Sequence, residues 1–334
     1  MSLTSDTKLR LPVRCAIVGC GRMGRWHAER LRDDGRGVVT ALVDPSRETA
    51  IRLQHDFSPT GHVYDDFAEF LAAENDVDAV VICTPTPDHF PQIRGCRSRG
   101  WHVLCEKPLA HTRDEIVTLI EECNAGGPIL SVGYQRRYSS LFRTLRREVR
   151  SGKWGRIRAI TSHNVENWQQ TIGGTWRDNP AINRGGFIGD AGSHKLDMLF
   201  FLTGLKPISV TAHTDRCGSH VEIAAGVLAR LEGDIPLMID FIGHAQYLGE
   251  DLHIHCEHAD LMIRDNKFFV GENGEVRELL CDEPNSNPAA GFLDEILEGA
   301  DPVAPPECAL PVFDMTTAIL ESSRMGETVR LSFP

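Results

Sequence analysis

Residues 15–24 read Cys15-Ala-Ile-Val-Gly19-Cys-Gly21-Arg-Met-Gly24, an apolar run that breaks into Gly-x-Gly-x-x-Gly and then opens a helical pattern. No other stretch restricts the fold so tightly. The first glycine permits a tight turn and the second lets backbone approach a pyrophosphate. The third lets helix and strand pack closely, while the helix N-terminus offers free N–H groups and a positive dipole. Asp44 ends the second apolar run, 20 residues beyond Gly24, where an acid that hydrogen-bonds a ribose 2′-hydroxyl belongs. The turn, with Arg22 and Met23 inside it, is therefore expected to bind a dinucleotide together with Asp44. A carboxylate at this position repels a 2′-phosphate, which favours NAD over NADP. Arg22 and Arg47 lie near enough to keep NADP open, since a guanidinium can hold that phosphate.

Short Val/Ile/Leu-rich runs at residues 14–18, 38–43, 77–83, 101–105 and 129–132 predict strands, with helices at 23–32 and 112–124. Near-continuous apolar strands separated by helices indicate a parallel sheet covered on both faces. That is the doubly wound Rossmann pattern, expected as one domain over residues 12–133. The pattern changes at residue 134. A helix at 139–150 leads to a strand at 157–165, a Gly- and Trp-containing loop, and a helix from about 190 to 202. Strand-like runs follow at 208–214, 222–231, 237–243 and 252–258, with shorter pieces to 280 and terminal helices near 292–297 and 311–323. Turns such as Glu232-Gly-Asp234 and Glu272-Asn-Gly274 point to a largely antiparallel sheet. The expected fold class is α/β, a Rossmann domain followed by a second α/β domain, 134–334, built on a large, mostly antiparallel, open-faced sheet. An open apolar sheet face is a natural subunit interface.

Bulk properties narrow the function. The chain of 334 residues suits two domains, and its net charge of −12 argues against a nucleic-acid partner, which needs a basic face. Six Arg between 136 and 150 read as a solvated helix face, with contact to an anion or substrate as the alternative. None of the ten Cys forms a Cys-x-x-Cys pair and several fall in apolar strands, which indicates reduced thiols in a reducing compartment. The first residues are polar, without the apolar core of a signal peptide, and no run approaches the roughly 18 apolar residues of a membrane span. A soluble, cytoplasmic protein without membrane contact is expected. His253-x-His255-Cys256-x-His258 resembles a ligand set, but strand alternation puts His253 and His255 on one face and Cys256 and His258 on the other. No metal is expected.

Three segments carry candidate chemistry. Ile82-Cys-Thr84-Pro-Thr86-Pro-Asp-His89 follows a strand, where a cofactor site opens in sheets of this kind. Leu104-Cys-Glu106-Lys107-Pro108-Leu109 follows the next strand and puts an ionisable pair at the same edge. Gly185-Gly-Phe-Ile-Gly-Asp190-Ala-Gly-Ser-His194-Lys-Leu-Asp197 opens an apolar helix, with Asp190, His194 and Asp197 on one face by helical spacing. Asp190 as a helix cap and His194 as a hydrogen-bonded core histidine is one account of this stripe. Catalysis is the other, and the dinucleotide turn upstream favours it.

These segments, with Gly19–Gly24 and Gly133-Tyr-Gln-Arg-Arg-Tyr138, closely resemble the glucose–fructose oxidoreductase / inositol dehydrogenase / MocA family over about residues 13–331. The resemblance implies a Rossmann domain plus an α/β domain whose open sheet mediates a homodimer or homotetramer. It implies hydride transfer between nicotinamide C4 and a hydroxyl-bearing carbon of a sugar, polyol or derivative. Carried over, Lys107 orients the reacting hydroxyl and stabilises alkoxide character, His194 takes the hydroxyl proton, and Asp190 contacts substrate and tunes that transfer. A histidine and an ammonium suit those tasks chemically. Tyr134, Gln135 and Arg137 match a segment near cofactor and substrate, with Gln135 assigned to cofactor and Arg137 to substrate. Thr84, Thr86, His89 and Glu106 are assigned to the cofactor side, His89 and Glu106 beside the nicotinamide ribose. Trp168 and Trp176 fall in the loop that supplies substrate walls, or are structural aromatics; Trp168 is taken as a substrate contact. The chain departs from the family's often Gly-rich turn after residue 256, with Glu257 and Ala259 there. An enzyme that uses NAD transiently in glycoside cleavage and a nucleotide-sensing regulator remain as alternatives. Retention of Lys107, Asp190 and His194 speaks against the regulator.

Overall fold

Alternating apolar runs and helices in the first third of the chain build a sheet whose strands are buried on both faces. The structure, a computed structural model, describes residues 11–332; the polar N-terminal segment considered above lies outside the described residues. The chain divides into two compact units, one running to Gln135 and adding Ser286–Glu307, the other formed by Arg136–Asn285 and the chain from Cys308 on.

The first unit runs β1 (Val13–Val18), α1 (Arg22–Asp34), β2 (Gly37–Val43), α2 (Arg47–Phe57), β3 (His62–Tyr64), α3 (Phe67–Ala73), β4 (Ala79–Ile82), α4 (Thr86–Ser98), β5 (His102–Cys105), α5 (Arg113–Asn124) and β6 (Leu130–Val132). Its six strands are all parallel, in the order β3-β2-β1-β4-β5-β6. Strand order reverses beside β1, so a crevice opens at the carboxyl ends of β1 and β4, where doubly wound sheets bind ligands. Val13, Cys15 and Ile17 on β1 join Leu42, Val81 and Leu104 in a core that excludes solvent. Helix starts follow local chemistry: Ser46, Asp66 and Thr112 cap α2, α3 and α5, the last with Glu115 in a reciprocal capping box.

The second unit runs α6 (Ser140–Arg150), β7 (Ile157–Val165), α7 (Trp168–Ile172), α8 (Gly186–Gly189), α9 (Ser193–Thr203), β8 (Pro207–Asp215), β9 (Ala224–Leu231), β10 (Ile235–Ile242), β11 (Gly249–Cys256), β12 (Asp260–Arg264), β13 (Lys267–Glu272) and β14 (Glu275–Leu279). After α10 (Pro288–Glu298), which belongs to the first unit, α11 (Ala309–Met325) and β15 (Val329–Arg330) complete it. The sheet has nine strands in the order β14-β13-β12-β11-β7-β10-β9-β8-β15 and is antiparallel except where β10 pairs with β7. Alternation sorts its faces. Ile160, Leu237, Ile239, Phe241, Leu252 and Ile254 are buried on one side, while Leu228 and Met238, paired across β9 and β10, are exposed on the other.

Two boundaries differ from the sequence pattern. Residues 286–307 do not stay with the rest of 134–334: Ala289, Phe292 and Leu293 on α10 enter the core of the first unit with Leu31 and Leu42. The expected helix from about residue 190 begins instead at Ser193, and Asp190 sits in a break after α8 with φ −89° and ψ −87°. Asp190 therefore does not share a continuous helical face with His194 and Asp197, and it is not the helix cap: Gly192 occupies that position.

Candidate active site

The Gly-rich turn is built by backbone that tolerates no side chain at two of its three glycines. Gly19 adopts φ +89°, and a Cβ there would lie 2.7 Å from the Cys83 carbonyl carbon at the end of β4. A Cβ at Gly24 would come within 2.1 Å of the Gly19 carbonyl oxygen, so α1 packs directly on the turn. Gly21 is different: a Cβ there would meet nothing within 4 Å among the described residues. Gly21 caps α1 without a side-chain hydrogen bond, and no acid stands in the first turn. The opening N–H groups of α1 thus face an exposed glycine and Arg22, which is the cradle an anionic diphosphate fits. Met23 is half-buried beside them.

Asp44, directly after β2, is tied to this turn. Its carboxylate accepts the Cys20 N–H at 2.8 Å through one oxygen and the Ser46 N–H at 2.8 Å through the other. Burial, with the Asp44 charge beside it, pushes the Cys20 thiol up to about 12, so Cys20 is an inert neighbour. Arg47 is drawn off to Asp65 at 2.9 Å. An NAD fits these residues: α1 and Gly21 would hold the pyrophosphate, and Asp44 has lone pairs left for ribose hydroxyls.

The neighbouring turns meet at the same sheet edge. Thr84 donates its hydroxyl to Gln92 at 2.6 Å, and Thr86 is the buried first residue of α4. His89 is buried, its ring nitrogens 2.8 Å from the carbonyl oxygens of Thr84 and Pro108. Burial holds its pKa below the usual histidine range, against those two carbonyls, which favour the charged ring. His89 staples the β4 turn to the Lys107-Pro108 turn, because an imidazole buried this deeply must satisfy its nitrogens on nearby backbone. Glu106, at the end of β5, is also buried, and Lys107 after it is half-buried. Gln135 is exposed, and Tyr134 is buried.

In the second unit, Asp190 is buried and accepts from Arg177 Nε at 2.8 Å, while its carbonyl accepts the Ser193 hydroxyl at 2.6 Å. His194 opens α9, half-buried. Asp197, one turn on, is fully buried, and Arg137 grips it through Nε and Nη2 at 2.6–3.1 Å. Burial raises the Asp197 carboxyl above its ordinary value, with the Arg137 guanidinium opposing. Arg137, expected at the substrate, is thus committed to a buried counter-ion and lies over the Phe201 ring. Trp168 is buried against Phe187, with ring centroids 5.5 Å apart, as a structural aromatic would be. Trp176 stacks under Arg177.

Two arrangements escaped the sequence reading. His27 on α1 hydrogen-bonds Glu106 at 2.9 Å. Lys195 and Arg136 each reach one oxygen of Glu250 at 2.5 Å. Each was signalled only by a polar residue in an apolar stripe.

The Gfo/Idh/MocA oxidoreductase model, described as an NAD-binding Rossmann fold, matches residues 13–134, and the Gfo/Idh/MocA C-terminal domain matches residues 142–262. The chain belongs to the Gfo/Idh/MocA oxidoreductase family. The inositol 2-dehydrogenase of Burkholderia multivorans is 28% identical over 270 residues, which cover 79% of this chain and 73% of that protein. The inositol 2-dehydrogenase of Rhizobium meliloti is 27% identical over 202 residues, 60% of this chain and 58% of that protein, so the match spans less than two thirds of that relative. An oxidoreductase domain protein from Kribbella flavida shares the fold, with a TM-score of 0.87 over 97% of this chain and 100% of that one at 22% identity. Among the described residues no helix is long and apolar enough to cross a membrane, and no group of three or more His, Cys, Asp or Glu is placed to hold a metal.

Proposed function

We propose that this oxidoreductase is an NAD-dependent dehydrogenase that moves hydride between the nicotinamide and a hydroxyl-bearing carbon of a polyol or sugar, in the manner of an inositol dehydrogenase. The observation that carries the reading is the clustering of three turns at one sheet edge: the Gly21 cradle after β1, the Thr84 turn after β4 and Lys107 after β5. When bound, NAD supplies the hydride acceptor. Lys107 holds the substrate oxygen with its ammonium and stabilises negative charge as the O–H proton leaves. His194 takes that proton, and Asp190, already braced by Arg177, contacts substrate and orients the exchange. Thr84, Thr86 and Gln135 line the cofactor side. Arg137 serves by fixing Asp197 one turn beyond His194.

NAD is preferred to NADP because the Asp44 carboxylate stands at the ribose end, and because Asp65 occupies Arg47. The protein acts in the cytoplasm as a homodimer or homotetramer through the open sheet face of its second unit. Five of the ten cysteines are buried, Cys15, Cys20, Cys96, Cys105 and Cys308, as thiols in a reducing compartment often are.

The test is NADH formation, followed at 340 nm, with NAD and a panel of inositols, aldoses and sugar acids. Turnover on at least one polyol or sugar is expected. Silence across the panel, with NAD binding intact by calorimetry, would overturn the reading in favour of transient-redox chemistry or nucleotide sensing.

A further inference from the structure

Glu106 is the buried acid that immediately precedes Lys107, and three neighbours fix its carboxylate. His27 Nε2 lies 2.9 Å from Oε1, and the Lys107 N–H reaches Oε2 at 3.3 Å. Gly133 closes the third side: a Cβ there would stand 3.0 Å from Oε1 and 3.2 Å from the Glu106 Cα. The backbone at the end of β6 therefore lies flat against the acid, which only glycine permits without displacement. The Glu106 N–H donates to the Ile82 carbonyl at 2.9 Å, so main chain and side chain are both held.

The histidine is the unusual partner. It sits on the buried face of α1 with Gly24, Ala28 and Leu31, wholly shielded from solvent. An apolar residue would pack there at no polar cost. With Glu106 ionised, Oε1 only accepts, so the ring donates from Nε2. Its other nitrogen, Nδ1, is buried with no hydrogen-bond partner among the described residues. A ring that satisfies one nitrogen and strands the other is poor packing material. Besides an edge-to-face contact with the Trp26 ring, its one hydrogen bond among the described residues is to the carboxylate preceding Lys107. The same helix starts at the Gly21 cradle, six residues earlier.

We propose that His27 is a positioning residue: from the dinucleotide-binding helix it holds Glu106, and through Glu106 it fixes the turn that presents Lys107. This rests on the reading that Lys107 acts in hydride transfer. It adds a residue that acts on the reaction only through another, and it couples the cofactor helix to the lysine turn.

The experiment uses the full-length protein and amide hydrogen exchange by mass spectrometry, which needs no substrate. In His27→Leu, exchange in residues 105–112 accelerates tenfold or more while residues 13–18, in β1 of the same sheet, exchange as in the wild type. His27→Gln, whose side-chain amide can donate to the same oxygen, restores exchange in 105–112 to within about threefold. His27→Leu also strands a buried carboxylate and can lower stability for that reason alone. The paired variant His27→Leu/Glu106→Leu removes both polar partners, and it is expected to recover the melting temperature while 105–112 still exchanges fast. Unchanged exchange in 105–112, or equal acceleration in 13–18 and 105–112, would overturn the proposal. So would slow exchange in the paired variant. Turnover by Lys107→Met separates the two readings: an active Lys107→Met removes the lysine from the chemistry and leaves the exchange result to stand by itself.

Discussion

A methyl group added at Gly21 and one added at Gly24 meet opposite surroundings within a single turn. At Gly24 it would strike backbone, the Gly19 carbonyl oxygen at 2.1 Å, so helix and turn must separate. Gly24→Ala should cost about 2 kcal/mol of stability, as overpacking against an unyielding neighbour does. Gly21→Ala meets no protein atom and should stay within about 1 kcal/mol of the wild type in urea unfolding, yet bind NADH at least tenfold more weakly. Wild-type NADH affinity in Gly21→Ala would mean that no dinucleotide passes over this glycine. Asp44 supplies a second check: calorimetric titration should find NADH tighter than NADPH, and Asp44→Ala should narrow that gap. A wild-type protein that prefers NADPH would remove the ribose role from Asp44. For the chemistry, Lys107→Met and His194→Ala should each keep the melting temperature within about 3 °C while lowering kcat at least a hundredfold. A variant that remains active excludes its residue from the mechanism. The tight turn at Gly19 and the close packing at Gly24 were legible in the sequence because one local turn carries both. His27 was not, since its partner lies 79 residues away and only the β1–β4–β5 arrangement brings them together.

Helix α9 shows how an element departs from its pattern. Periodicity alone extends it back to Asp190. The structure breaks it at Asp190, with φ −89° and ψ −87°, and the segment before it is set by Gly186, where φ is +54° and a Cβ would lie 2.2 Å from the Glu222 carbonyl oxygen. That close approach involves a segment distant in sequence, which no local propensity encodes. The same helix buries two charged residues next to each other's turns, Lys195 and Asp197, each answered by an arginine-containing cluster. Burial pulls the Lys195 ammonium down to about 8, with Arg136 acting in the same sense and Glu250 and Glu166 opposing. The sign of the stability effect follows. Below pH 8 the amine is charged in both folded and unfolded chains, and the folded state bears its desolvation. Between about 8 and the ordinary lysine value of 10.5, the unfolded chain still holds a proton that the folded chain has released, so this group adds stability as pH rises. Lys195→Met lacks that gain. Its stability relative to wild type should therefore fall by about 2 kcal/mol between pH 8 and pH 10, read from urea unfolding at the two values. An equal difference at both pH values would show that Lys195 titrates as an ordinary lysine in the folded state.

At the scale of the whole molecule, chain order and compact units part company. Local patterns placed the change of architecture near residue 134, but they could not show that the chain re-enters the first unit at Ser286, because α10 reads as any amphipathic helix until its partners Leu31 and Leu42 are known. The large second sheet, in contrast, was visible in the alternation of its strands, and that alternation also exposes one face. Leu228 is 61% exposed and Met238 40%, opposite each other in register, with Ile208 at 37% on the neighbouring strand β8. Around them His163 hydrogen-bonds Asp240 at 2.8 Å and His255 hydrogen-bonds Asp260 at 2.7 Å, so the face presents an apolar centre with polar His–Asp pairs nearby. An exposed apolar pair on a sheet favours burial against another such pair, and a second copy of the chain brings an identical one by two-fold symmetry. In light scattering the wild type should have the mass of two or four chains. Leu228→Glu puts a charge at the centre of that contact, opposite its own symmetry mate or close to it, where neither can be hydrated. It should raise the dissociation constant tenfold or more while leaving the melting curve of the separated chain intact, since residue 228 faces away from the core of its own sheet. A wild type with the mass of one chain, or a Leu228→Glu variant that associates as tightly as the wild type, would take the interface off this face.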